Sequence, residues 1–294
     1  MSGQQDVFYL EVDGLKRRYV LFRPDSVIEG GEQTPLVLML DGRGGTPWTA
    51  MRSTLWNDKA SREGFIMAYP EATRLDPDGP LHFLTNPQMW NAGAGGSDVE
   101  RPVVDDLKFL RAVLDDAPIQ ARIDPLRCYM TGFSNGAAMT YRFALTYPET
   151  LRAIAPVAGH FRVADAVLDK PVPMISLFGK LDPLSPIDGG PVDLPWGNRE
   201  IRPPAVDSVT AWAVLCGHQP ESGVWTSPEN GLRRLTYGAP GDDNEVEFWV
   251  VDDLGHTWPG GHRLLPEALV GPTSNTIIAN DVIWSFFRRH SEVE

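Results

Sequence analysis

The chain alternates short apolar runs with amphipathic stretches. "VFYLEV" (7–12) and "RYVLFRP" (18–24) flank "DGLKR", the arrangement of an opening β-hairpin. "PLVLML" (35–40) is apolar throughout, as a strand buried on both faces of a sheet would be. A helix is expected around 56–64 and a strand at "FIMAYP" (65–70), followed by a Pro-, Gly- and Asp-rich excursion over 71–101. Within 103–116, Val103, Leu107, Leu110 and Leu114 recur at helical spacing and predict one amphipathic helix. "LRCYMTG" (126–132), "LRAIAPVAG" (151–159) and "VPMISLFG" (172–179) read as short strands, and "VEFWVV" (246–251) as the last core strand. "IIANDVIWSFFRRH" (277–290) reads as a closing helix whose basic end suits the helix dipole. This alternation predicts an α/β fold, a mostly parallel central sheet with helices on both faces. No repeat or low-complexity linker divides it, so residues 1–294 are expected to form one domain. In such sheets chemistry gathers in the loops beyond the carboxyl ends of the strands.

Charge narrows the partners. The net formal charge of −13 repels phosphate backbones and anionic lipid, so neither nucleic acid nor a membrane is an expected partner. No apolar run approaches the roughly 18–20 residues of a spanning helix, and the N-terminus lacks a basic segment followed by an apolar one. A soluble chain is expected, with export left open. Cys128 and Cys216 lack metal-ligand spacing and are expected to be buried thiols. The acidic pairs Asp105-Asp106, Asp115-Asp116 and Asp242-Asp243 have no histidine beside them, so helix-end and loop roles are expected and no metal site is assigned.

"TGFSNG" (131–136) places Gly132-x-Ser134-x-Gly136 between a strand-like run and the helix-like "AAMTYRFALTY". The five-residue pattern is weak alone, but strand, sharp turn and helix are the setting of a nucleophile elbow. A serine nucleophile needs a base to take its proton and an acid to orient that base, and in such hydrolases the acid and then the base follow in sequence. Asp182, in "KLDPLSP" just past an expected strand end, is the candidate acid, with Asp188 as runner-up. His256, in "DDLGHTWPGG", is the candidate base, with His262 its rival in the same loop; His82, His160, His218 and His290 fit the order or setting less well. The oxyanion would be held by two backbone N–H groups, of Asn135 after the nucleophile and of Arg43 in "DGRGG".

"LDGRGG", "WNAGAGG", "IDPLRCYMTGFSNGAAMTYRFA", "IAPVAG", "FGKLDPLSPIDGG" and "GHTWPGG", from about Pro35 to His290, resemble the esterases grouped with poly(3-hydroxybutyrate) depolymerases and feruloyl or acetyl xylan esterases. The resemblance implies an α/β-hydrolase fold and serine-dependent ester cleavage without a cofactor. It carries the nucleophile onto Ser134, the acid onto Asp182 and the base onto His256. It also implies that Trp258 forms an aromatic wall against the substrate, and that Trp90 either joins it or packs the loop. Two positions depart from the family pattern: Asp41-Gly42-Arg43 stands where His-Gly, commonly followed by cysteine, is usual, and Phe178-Gly179 stands where His-Gly is usual. Neither side-chain change removes a backbone donor.

Asp41 raises a question of charge. A carboxylate about 6 Å from an oxyanion, at an effective dielectric near 20, would cost about 3 kcal/mol in the transition state. Asp41 is therefore expected to point away or be neutralised, either capping its own loop or working with Arg43 on the substrate. The expected function is a serine carboxylesterase working through an acyl-enzyme, on hydroxycinnamoyl (feruloyl) or acetyl esters of plant polysaccharide fragments. The alternative substrates are hydroxyalkanoate oligomers or related polyesters. A hydrolase fold that binds without cutting, and a peptidase, are the other readings.

Overall fold

A computed structural model describes residues 3–93 and 104–291. Strand β1 (Gly3–Val12) pairs antiparallel with β2 (Leu15–Pro24), and Asp13 and Gly14 turn the hairpin with φ of 50° and 76°. Two consecutive positive φ values make the two-residue turn whose twist matches paired strands. Helix α1 (Asp25–Gly30), β3 (Thr34–Leu40), α2 (Pro47–Thr54), α3 (Trp56–Glu63) and β4 (Ile66–Pro70) follow. The 71–101 excursion contains two short strands, β5 (Thr73–Arg74) and β6 (Gln88–Met89), paired antiparallel. Its residues 94–101 lie outside the described residues, as does Val103.

Next come α4 (Asp106–Gln120), β7 (Ile123–Phe133), α5 (Asn135–Thr146), β8 (Ala153–Val157) and β9 (Met174–Gly179). Asp105 caps α4 by accepting a hydrogen bond from Lys108 N at 3.0 Å, so the helix starts at Asp106. Its buried face runs through Phe109, Leu110, Val113, Leu114 and Ala117, rotated from the expected stripe so that Leu107 is half-buried. A small hairpin, β10 (Gly190–Asp193) and β11 (Arg199–Arg202), precedes α6 (Ala205–Leu215). Then follow β12 (Val224–Trp225), β13 (Leu232–Tyr237), β14 (Val246–Val251), α7 (Glu267–Val270) and α8 (Ala279–Arg289).

Ten strands form one sheet in the order β1-β2-β4-β3-β7-β8-β9-β14-β13-β12. The six from β4 to β14 are mutually parallel, and antiparallel pairs close both edges. The continuous apolar pattern of β3 follows from burial on two sides: Leu36, Leu38 and Leu40 enter one core with α4, α5 and α6, while Val37 and Met39 enter the other with α2, α3 and α8. β14 is the last parallel strand, as its apolar run indicated. The antiparallel edge of β12 and β13 was not expected, because "LRRLTY" has two adjacent exposed arginines that break the strand alternation and leave a weak apolar signal. The α/β-hydrolase arrangement brings the carboxyl ends of β3, β7, β8, β9 and β14 to one edge of the sheet.

Candidate active site

Ser134 sits between β7 and α5 with φ 54° and ψ −114°, a conformation that costs a non-glycine residue about 1–3 kcal/mol. Close packing holds it there. A Cβ on Gly132 would lie 2.3 Å from Gly136 O, and one on Gly136 would lie 2.1 Å from Leu40 O. The two glycines let α5 press against both β7 and the end of β3, which a methyl group would prevent. Ser134 N donates to Val157 O at 2.9 Å and ties the turn to β8.

His256 lies five residues past β14, with Nε2 2.9 Å from Ser134 Oγ and Nδ1 2.7 Å from Asp182 Oδ2. Asp182, 3% exposed, also accepts hydrogen bonds at Oδ1 from Leu184 N (2.8 Å) and Ser185 N (2.7 Å). These two donors leave Oδ2 facing the imidazole, which fixes the Nδ1–H tautomer and leaves Nε2 to accept the serine proton. The rivals lie elsewhere. Asp188 and His262 are exposed. His82 Nδ1 accepts from Leu84 N and Thr85 N, His218 pairs with Asn244 O, and His290 with Glu245.

The loop after β3 is built by its own carboxylate. Asp41 Oδ1 accepts from Gly42 N at 2.8 Å and Oδ2 from Thr49 Oγ1 at 2.6 Å, so the side chain points into the loop and is not in the cavity wall. Desolvation pushes its pKa up to about 6 against these hydrogen bonds. This corrects the assignment of Asp41 as a substrate contact: neutral donors consume both of its oxygens. Gly44 N donates to Gln88 O at 2.7 Å, while Arg43 and Asn135 line the same cavity as Ser134.

Trp90 braces both halves of this arrangement. Its indole Nε1 donates to Asp41 O at 3.0 Å, its backbone N donates to Asn135 Oδ1 at 2.7 Å, and Asn135 Nδ2 donates back to Trp90 O at 3.2 Å. At 2% exposure it is a strut with one edge on the cavity. Trp258 is placed differently from the expected substrate wall. It is 3% exposed, donates from Nε1 to Asn280 Oδ1 at 2.8 Å, and packs edge-on to Trp56 and Phe133. Phe133 stands between it and the cavity, with its ring centroid 4.8 Å from that of His256. Trp258 thus belongs to the core beneath the base, because α8 offers its indole a buried acceptor that solvent-side packing would not.

Ser134 opens into a cavity of about 390 Å3. Its aromatic wall includes Phe83, Phe133 and Trp196, with the Arg43 guanidinium 4.1 Å from the Trp196 ring centre. Trp196, Glu200 and Arg202 reach the cavity from the β10–β11 hairpin, and His160 and Arg162 from the loop after β8. Of these, Phe83, Arg162, Trp196, Glu200 and Arg202 carried no signal in the sequence, and His160 was weighed only as a base. "PWGNRE" (195–200) has turn chemistry and a tryptophan, but nothing local says that the hairpin folds back over a strand end.

The acidic pairs have structural partners: Asp106 pairs with Arg17, Asp115 with Arg111, and Asp242 accepts from Ala239 N. Among the described residues no cluster of His, Cys, Asp and Glu is arranged to hold a metal ion, and both cysteines are buried and free. No helix among the described residues is long and apolar enough to cross a membrane.

The sequence pattern of the family described as Esterase PHB depolymerase matches residues 18–188. Over 288 residues the chain is 29% identical to the protein named "Putative esterase NocK" of Nocardia uniformis subsp. tsuyamanensis, covering 94% of this chain and 80% of that one. It is 25% identical over 202 residues to feruloyl esterase C of Emericella nidulans, covering 68% of this chain and 62% of that one. In fold it is similar to the acetyl xylan esterase of Aspergillus awamori, with a TM-score of 0.63 at 12% identity, covering 97% of this chain and 99% of that one.

Proposed function

This chain belongs to the Esterase PHB depolymerase family and is a serine carboxylic ester hydrolase, and we propose that Ser134, His256 and Asp182 are its catalytic residues. The observation that carries the assignment is the continuous relay from Ser134 Oγ through His256 to a buried, doubly anchored Asp182, opening on the cavity. In this reading His256 Nε2 takes the Ser134 proton as Oγ bonds to the ester carbonyl carbon. The carbonyl oxygen gains the charge and accepts hydrogen bonds from the backbone N–H groups of Asn135 and Arg43. The alcohol leaves with the proton that His256 returns to it, and an acyl-enzyme remains. Water then gives a proton to His256, attacks the acyl carbon and releases the acid, and Ser134 recovers its proton.

For the substrate we propose hydroxycinnamoyl or acetyl esters of plant polysaccharide fragments. The aromatic wall of Phe83, Phe133 and Trp196 supports this reading, since a planar acyl group can stack there. Feruloyl and acetyl xylan esterases among the similar proteins add weight. The deciding experiment compares turnover of methyl ferulate, acetylated xylo-oligosaccharide and a 3-hydroxybutyrate dimer, with Ser134→Ala as control. Cleavage of either of the first two supports the substrate assignment, and cleavage of the dimer alone overturns it. Failure of the wild type to take a fluorophosphonate label at Ser134 would overturn the catalytic assignment.

A further inference from the structure

Arg43, Arg162 and Arg202 line the cavity of a chain whose net charge is −13. His160, 2% exposed, lines the cavity with neither ring nitrogen hydrogen-bonded among the described residues. Burial above all, and then the nearby Arg162 and His256, push its pKa down to about 4 and keep it neutral. A neutral imidazole always has one N–H to donate. Arg202, whose side chain is 12% exposed, bonds Glu200 through Nη1 at 2.9 Å, yet its buried Nε has no acceptor among the described residues. Glu200 also pairs with Arg162 at 3.3 Å and lies within the field of Arg43. Three guanidiniums, from the loops after β3 and β8 and from β11, therefore line the cavity around one carboxylate.

Buried donors without acceptors are costly to keep, and an arginine fork beside them fits a planar anion. We propose that this wall is a subsite for a carboxylate carried by the ester substrate, bound by Arg202 and the His160 N–H under the positive potential of Arg162 and Arg43. The inference rests on the ester hydrolase reading and deepens it, because it names a substrate class: esters of an acid or alcohol that bears a second, free carboxylate. Substrates of this class are bound through one end and cut at the other.

The test uses two matched pairs in 10 mM salt: monoethyl adipate against diethyl adipate, which puts the carboxylate on the acyl side, and 3-acetoxybutanoate against its methyl ester, which puts it on the alcohol side. In at least one pair the free acid should have kcat/KM about tenfold or more above its neutral ester, chiefly through KM, and the advantage should shrink in 500 mM salt. The pair that responds tells which side the subsite serves. Arg202→Met and His160→Phe should each lower the acid-to-neutral ratio about tenfold, whereas a merely structural role would lower both substrates alike. If the neutral esters are cut at least as well as the acids in both pairs, the subsite is refuted and the hydrolase assignment stands. If none of the four is cut and the wild type takes no fluorophosphonate label, the hydrolase reading fails with it. The wild-type ratio and its salt response decide the matter even if a variant does not fold.

Discussion

Asp182 and Asp41 occupy matching places in the sheet, each a few residues or fewer beyond a parallel strand, β9 or β3, and each accepting backbone N–H groups. The difference lies in the second oxygen. Asp182 keeps Oδ2 for His256 at 2.7 Å, while Asp41 gives Oδ2 to Thr49 Oγ1 at 2.6 Å. In the proposed triad the first carboxylate would favour the cation that forms on His256. The second meets only neutral dipoles, and its pKa rises to about 6. A loop aspartate at the edge of an α/β sheet is therefore a reacting-site residue or a splint according to what its outward oxygen faces, and strand position alone does not decide which.

Ser134→Ala sets the floor against which both aspartates are measured. Loss of the nucleophile should reduce kcat/KM on a p-nitrophenyl ester by about 10^5 or more, leaving the KM of residual turnover within a few fold. Asp182→Asn should come next, with a loss of about 10^3–10^4 in kcat, because the amide no longer favours the imidazolium and can hold His256 in the wrong tautomer. An Asp182→Asn enzyme within tenfold of wild type would erase the contrast with Asp41.

Trp90 sharpens the comparison from the other side, since it grips the loop that Asp41 stiffens. Trp90→Phe removes the donor to Asp41 O while keeping most of the packing. It should lower kcat about tenfold with little change in KM, the signature of misplaced oxyanion donors. A rise in KM alone would instead make Trp90 a binding wall.

Legibility in the sequence followed the range of the forces involved. The parallel strands were visible because burial on two faces makes their apolar runs continuous. The Gly132-x-Ser134-x-Gly136 turn was visible because backbone oxygens only 2.1–2.3 Å from where a Cβ would sit admit nothing larger than glycine there. Ser134, Asp182 and His256 could be selected by chain order and strand ends. Trp258 misled because its motif places it beside the base, while the acceptor that draws it inward, Asn280, lies 22 residues away on α8. Arg162 and Arg202, and the place of His160 beside them in the cavity wall, went unread for a related reason. Their juxtaposition depends on the loop after β8 meeting the β10–β11 hairpin, a tertiary contact with no local periodicity.

The smallest effect on activity is expected at Asp41, where stability should respond instead. Asp41→Asn keeps an acceptor for Gly42 N and offers a donor to Thr49 Oγ1, so turnover of a small neutral ester should stay within about threefold. In the wild type the folded-state pKa near 6 exceeds the ordinary value of 3.8, so between those values the folded chain holds more protons than the unfolded one. Stability attributable to this group is therefore fully present below about pH 4 and is lost as the pH rises through 6, by at most about 3 kcal/mol. Asparagine carries no such loss. Urea unfolding of the two proteins at pH 4.5 and pH 8 should show the variant gaining on the wild type at the higher pH. An equal difference at both would mean that the Asp41 carboxylate is solvated or paired with a cation, and that its loop is held by something other than the carboxylate.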